Sequence, residues 1–239
     1  MRELITSSGL EARRAIGGRS NVYLIRGPKA TALVDTSTRA NFPRLQKSFD
    51  GLGVTRLDFL FLTHLHFDHV DNADEIRSRF DAKIVVQKAA ADCLALGRNE
   101  SIDGSSRFTK FVYARFGGDD ALNTKKIFAY RPFTPDIVID GAADLGDFGL
   151  SGRIVSTPGH SPGSMSLVLD DEVAIAGDVL FHVFTGSVMP PWADDVGLTV
   201  RSWGKLLETK CRVFLPGHGR PIPRSLLEKC YRRALEGRQ

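Results

Sequence analysis

The segment FLFLTHLHFDHVDN, residues 59–72, constrains this chain more than any other stretch. An apolar run is followed at once by His64, His66, Asp68 and His69, so three of the chain's 6 histidines crowd into one short segment. LDFLFLT (57–63) reads as a mostly apolar strand of the buried kind. In an extended chain residues i and i+2 point to the same side, so His64 and His66 converge while Leu65 and Phe67 face away into packing. Imidazole nitrogens side by side are poor neighbours unless a cation takes the place of their protons, and a divalent metal does this. Asp68 and His69 fall at the bend before the next helix, from which they can face a second point close by.

Two imidazoles do not complete a four-coordinate ion, so further donors are expected elsewhere. TPGHSPGS places His160 just after the strand RIVST, AGDV places Asp178 just after EVAIA, and LPGHG places His218 just after CRVFL. All three sit beside glycine, which permits tight turns and close backbone approach. Strand-end loops are where α/β folds build their sites. Taken singly, each residue has an ordinary explanation: a surface histidine, a capping aspartate, a chance His-x-His pair. A metal centre is the one common explanation that uses all seven together.

The surroundings read as mixed α/β. VYLIR (22–26) and TALVD (31–35) form a hairpin around Gly27-Pro28. A helix over 43–50 ends near Gly51 and Gly53, another runs from an Asp71 or Asn72 cap to Phe80, and an Ala-rich helix ends at Gly97. KIVVQ (83–87), IVI (137–139), RIVST (153–157), SLVLD (166–170) and EVAIA (172–176) are strands, with a turn at Asp170-Asp171. A helix at about 199–209, the strand CRVFL (211–215) and a last helix after Pro223 complete the chain. We expect one domain over residues 1–239, with a helical, aromatic-rich insertion at about 98–135. Within it Phe108, Phe111, Val112 and Phe116 share one helical face. That stripe reads first as core packing, and otherwise as a lid or substrate-binding segment.

Bulk properties narrow the function. Nothing approaches the roughly 18 apolar residues of a membrane span. The N-terminus lacks the apolar core of a secretory leader. Three scattered cysteines with no C-x-x-C argue against a disulfide framework and for a reducing cytoplasm. The net charge of +4 is spread along the chain, which reads as a solvated surface rather than a nucleic-acid footprint and also suits an anionic small-molecule substrate. A homo-oligomer is compatible with all of this.

The ordered set HLHFDH, then His160, Asp178 and His218, resembles the metallo-β-lactamase superfamily of metal-dependent hydrolases, over roughly residues 20–220. The resemblance implies a four-layer αβ/βα sandwich: two mixed β-sheets flanked by helices, with the metals at one edge. It implies that His64, His66 and His160 hold one metal, that Asp68, His69 and His218 hold a second, and that Asp178 bridges them. It implies two divalent ions, zinc first, with iron or manganese also suited to a carboxylate-bearing site. The expected chemistry is hydrolysis by a hydroxide that the two ions hold, with Asp68 aligning the nucleophile or accepting its proton.

Within that superfamily an aspartate at position 178 and the absence of a leader argue against a true β-lactamase. TPGHSPGS and AGDVLF look most like relatives of glyoxalase II, which cleave thioesters, so the expected substrate is a small ester, thioester or lactone. Glyoxalase II proper continues into a helical substrate-binding domain beyond its last histidine, whereas this chain ends soon after His218. Three alternatives stand beside it. One is a persulfide dioxygenase-like oxidoreductase with one iron on His64, His160 and Asp178. Another is a phosphodiesterase or nuclease of the same superfamily, against which Phe67 counts because such nucleases often have glycine there. The third is a non-catalytic scaffold. His182 and Trp192 join Phe108 and Phe111 as candidate substrate contacts; His182 reads more readily as a packed, hydrogen-bonded neighbour and Trp192 equally as a surface-loop anchor. Asp35, which ends the strand TALVD, is a candidate partner for a ligand histidine.

Overall fold

The computed structural model describes residues 3–18, 20–115 and 129–237. Two mixed sheets stack face to face with helices on their outer sides. The first has seven strands in chain order: β1 (Leu4–Ile5), β2 (Glu11–Ile16), β3 (Val22–Arg26), β4 (Thr31–Val34), β5 (Phe59–Phe61), β6 (Lys83–Gln87) and β7 (Ile137–Ile139). Pairing is antiparallel from β1 to β4 and parallel from β4 to β7. The second sheet holds β8 (Ala143–Asp144), β9 (Gly152–Ser156), β10 (Met165–Leu169), β11 (Val173–His182), β12 (Val213–Gly219) and β13 (Ile222–Pro223), in the order β13-β12-β11-β10-β9-β8. Only β11 and β12 run parallel in it. This is the sandwich that the resemblance implied.

The period of two in the apolar runs decides which layer each side chain joins. Tyr23, Ile25, Phe61 and Val85 face Leu167, Leu169, Ile175 and Leu215 across the space between the sheets. Their sequence neighbours Val22, Leu24, Leu60, Ile84 and Val86 face the other way, onto the helices of the first sheet. Those helices are α1 (Phe42–Leu52), α3 (Ala73–Phe80) and α4 (Lys88–Leu96), which supply Leu45, Phe49, Ile76, Ala90 and Leu94. The one-turn helix α2 (Phe67–Val70) lies just ahead of α3. On the far side Val168 and Phe214 pack on α6 (Val196–Glu208) and α7 (Arg224–Glu236) through Val200, Trp203, Leu206 and Leu227. Strands buried on both faces read as unbroken hydrophobic runs, and that is why KIVVQ and SLVLD were legible.

The helix ends follow the chain chemistry. Gly53 and Gly97 close α1 and α4 in the left-handed conformation, at φ of 62° and 64°. Asp170 and Asp171 turn β10 into β11 with φ of 51° and 57°, the geometry of a tight hairpin. Three readings need correction. Strand β5 covers only Phe59–Phe61, shorter than LDFLFLT. Strand β11 does not stop after EVAIA: it runs to His182 through register shifts around Gly177, whose φ is +58°. Strand β12 likewise continues through LPGHG, so Asp178 and His218 lie within strands rather than beyond them. The strand EARRAI, now β2, was missed because its charged residues mask the pattern.

Of the segment 98–135, residues 98–115 and 129–135 are described, and α5 spans Arg107–Arg115. Phe116 and Phe128 lie outside the described residues. Phe108 and Phe111 are 74% and 69% exposed, which overturns the core-packing reading of that stripe. Helical spacing shows that residues share a face but not what covers it. No helix among the described residues is long and apolar enough to cross a membrane.

Phe61 joins the sheets through edge contacts with Phe148, at 5.2 Å between ring centroids. Phe61→Ala should cost about 3–5 kcal/mol of unfolding free energy; a denaturation midpoint equal to wild type would show that the two sheets are not welded there.

Candidate metal centre

Both sheets deliver residues to one edge. His64 and His66 leave the end of β5, and α2 carries Asp68 and His69. His160 lies in the β9–β10 loop, Asp178 in β11 and His218 in β12. Backbone and side-chain bonds hold the two sheets in register here. Asn21 N–H donates to Gly217 O at 2.6 Å, the Tyr23 hydroxyl to Pro216 O at 2.7 Å, and Met165 N–H to Thr63 O at 2.8 Å. Gly217 is required by contact: a Cβ there would sit 1.9 Å from Asp178 Oδ1.

All seven predicted donors meet. His64, His66 and His160 bring one atom each within 4.8 Å of one another; so do Asp68, His69 and His218; so do His64, His69 and Asp178. Asp178 therefore joins a member of each of the other two groups. Its Oδ2 is 3.1 Å from His218 Nε2 and 3.7 Å from His160 Nε2, and its Oδ1 is 3.5 Å from His69 Nε2.

The outer nitrogens are anchored, which turns the inner ones to the centre. His69 Nδ1 lies 2.8 Å from Asp35 Oδ2, His160 Nδ1 2.9 Å from Trp192 O, and His64 Nδ1 3.0 Å from Thr63 Oγ1. Asp35 is itself held by the Thr63 backbone N–H and hydroxyl, both at 2.8 Å. The sequence suggested Asp35 as a partner for a ligand histidine, and the structure identifies that histidine as His69.

The residues present fit a cation. His64 Nε2, His66 Nε2 and Asp178 Oδ1 are buried without a hydrogen-bond partner. Nitrogen faces nitrogen at 2.9 Å between His160 Nε2 and His66 Nδ1, and at 3.3 Å between the Nε2 atoms of His69 and His218. An imidazole and carboxylate donor set of this density suits a zinc-like divalent ion.

The electrostatics divide the site. Burial, reinforced by neighbouring imidazoles, holds His64 well below its usual range and brings His66 down to about 3. Burial also outweighs the Asp178 carboxylate at His160, which is lowered. At His69 burial is overcome by Asp178, Asp35 and Asp68, and the ring rises to about 9. At His218 burial is overcome by Asp178 and Asp68, and the ring rises to about 10. Burial opposes ionisation of Asp178 and Asp68, yet the adjacent imidazoles hold both carboxyls below their ordinary value.

The remaining candidates lie around this core. His182 Nδ1 donates to Arg220 O at 3.1 Å and joins none of the three donor groups. Trp192 reaches His160 through its carbonyl, and its ring lies 6.1 Å from that of Tyr113 on α5. Phe108 and Phe111 stay on the exposed face of the same helix. Reading the sequence alone overlooked Asn99 and Glu100, a polar pair in a loop with no local pattern to mark it. Asn99 Oδ1 accepts from Phe67 N–H at 2.7 Å, and Glu100 accepts from Leu65 N–H at 2.7 Å.

A profile of the metallo-beta-lactamase superfamily matches residues 15–218. The chain belongs to this superfamily. Among superfamily members, a metallo-beta-lactamase fold-containing protein of Sulfurisphaera tokodaii is 26% identical over 88% of this chain and 76% of its own. A solved structure of an archaeal superfamily protein from Sulfolobus tokodaii superposes with a TM-score of 0.64 at 24% identity, covering 96% of this chain and 87% of that one. A probable metallo-hydrolase of Methanocaldococcus jannaschii is 26% identical over 85% of this chain and 89% of its own. A hydroxyacylglutathione hydrolase of Brucella ovis is 30% identical over 70% of this chain but only 51% of its own.

The split in imidazole behaviour sets a pH signature for protein stripped of metal. Below the ordinary value of 6.5, the unfolded chain takes up protons at His64, His66 and His160 that the folded chain refuses, so stability falls as pH drops. Above 6.5 the folded chain keeps protons on His69 and His218 that the unfolded chain has lost; that stabilisation disappears as pH climbs through about 9 and 10. Denaturation midpoints of chelator-treated protein should therefore peak near neutrality. A midpoint rising steadily between about pH 5 and pH 9 would contradict this division.

Proposed function

We propose that this superfamily member is a metal-dependent hydrolase of small esters, thioesters or lactones. The observation that supports it most directly is Asp178. Its carboxylate stands between the His64/His66/His160 group and the Asp68/His69/His218 group, with one oxygen that makes no hydrogen bond. A hydroxyacylglutathione hydrolase among the relatives supports the thioester branch. Two divalent ions, zinc or else iron or manganese, on those two groups with Asp178 between them would supply the Lewis acidity that makes water a nucleophile near neutral pH.

The chain's own residues do the rest. Asp35, Trp192 O and Thr63 fix which nitrogen each ring presents. Asp68 lies 3.4 Å from His218 Nε2 and is held as a carboxylate, so it can align the attacking water and accept its proton. The products are a carboxylate and an alcohol or thiol. Trp192, tied to α5 through Tyr113, and the exposed Phe108 and Phe111 suit the apolar part of the substrate. The mild positive charge favours an anionic one. Cys93, Cys211 and Cys230 carry free thiols, in keeping with a cytoplasmic setting.

Elemental analysis of protein purified without added metal, followed by a panel of thioesters, lactones, aryl esters and bis-phosphodiesters, tests this reading. Two metals per chain with ester or thioester turnover are expected. One iron with thiol-dependent oxygen uptake would replace the hydrolase with an oxygenase, and no metal at all would leave a scaffold. Asp178→Asn should lower kcat by about 100-fold or more and reduce metal retention, whereas His182→Ala should change kcat by less than about 10-fold. Equal losses in the two variants would overturn the distinction drawn between them.

A further inference from the structure

Glu100 is 2% exposed and has no ion-pair partner among the described residues. A buried carboxylate without a cationic partner is costly, so what it bonds to matters. Its Oε2 accepts from Leu65 N–H at 2.7 Å, and its Oε1 accepts from Gly163 N–H at 2.5 Å. Leu65 stands between His64 and His66, and Gly163 lies three residues past His160. One side chain therefore spans the two loops that bring those three rings together. The fit is tight: a Cβ on Gly163 would lie 2.6 Å from Glu100 Oε1.

The residue before it acts on the other half. Asn99 Oδ1 takes Phe67 N–H at 2.7 Å, the first backbone donor of α2, whose next two residues are Asp68 and His69. The strand-like strip that follows is pinned as well. Ala193 N–H donates to Asp103 O at 2.7 Å and Ser105 N–H to Pro191 O at 3.1 Å, on either side of the Trp192 carbonyl that holds His160.

We propose that Glu100 and Asn99 are positioning residues that set the two halves of the metal centre separately. Glu100 fixes the gap between the His64/His66 pair and His160, and Asn99 fixes the orientation of α2 with Asp68 and His69. The inference rests on the reading of these groups as metal sites. It touches neither the substrate nor the ions directly.

Glutamine at position 100 keeps the length and shape but not the function. Its amide accepts at one atom and turns an N–H2 toward the second backbone N–H, so one loop must give. Stepwise zinc binding, measured by competition with a chromophoric chelator, reads the consequence. His66→Ala marks which step belongs to the His64/His66/His160 group. Glu100→Gln should weaken that step by about 10- to 100-fold and leave the other within about threefold. Asn99→Ala should weaken the other step instead. The denaturation midpoint of the metal-free variants serves as control, because a merely structural role would lower it without changing the ratio of the two steps. Both steps weakened alike, or neither changed, overturns the inference. Should Glu100→Gln fail to fold, Glu100→Asp, which keeps two acceptors, takes its place and should weaken the same step; if neither folds, Glu100 is a folding element and the inference falls. Wild-type protein with no binding step that His66→Ala removes would instead defeat the metal-site reading itself, a distinguishable failure.

Discussion

Everything in this molecule's functional edge follows from crowding five imidazoles and two carboxylates into one largely buried cluster. Rings at 2.9–3.3 Å nitrogen to nitrogen cannot all carry protons, and they cannot all find acceptors. Part of the site resolves the conflict by staying neutral, part by borrowing protons against Asp178. The result is a wall of donors in which His64 Nε2, His66 Nε2 and Asp178 Oδ1 have no hydrogen-bond partner, and a cation would satisfy them together.

Such a wall must be held open against collapse, and the scaffold does this with directional bonds. Each anchored ring has its outer nitrogen on a carboxylate, a hydroxyl or a backbone carbonyl. Asp35, with φ of 62°, bends the end of β4 so that its carboxylate reaches both Thr63 and His69. Bonds from Asn21 and Tyr23 to the Pro216–Gly217 segment stop the two sheets from sliding where their residues must meet. The inter-sheet core beneath is made of close-packed Phe, Leu, Ile and Val, so a slip of one residue in any strand would turn its site residue away.

Close backbone approach sets further limits. At Gly217 and Gly177 a side chain would strike Asp178 or Thr63, so β11 and β12 can pass the donors only as bare backbone. The register shifts of β11 around Gly177 carry the strand past the site while leaving Asp178 aimed into it. A strand that ended at Ala176, as the pattern alone suggested, would have left Asp178 on a loop with more freedom than its close approach to His69, His160 and His218 allows.

Some of this was legible along the chain, because the signals are local. The period-two runs VYLIR, KIVVQ and SLVLD mark strands, Gly53 and Gly97 mark helix ends, and HLHFDH with its glycine-flanked partners marks the donors. Each depends on neighbours a few residues apart. What sequence could not order were relations between distant segments: that β11 and β12 run on as parallel neighbours through Asp178 and His218, that Phe108 and Phe111 stay in solvent, and that Glu100 spans Leu65 and Gly163. The amino-acid order by itself determined which side chains can bind a cation and which strands bury both faces, since chemistry and periodicity are properties of the chain. Which donors meet, which nitrogen each ring offers and which buried carboxylate holds the loops apart were decided only in the tertiary structure, because those depend on contacts between residues that the chain keeps far apart.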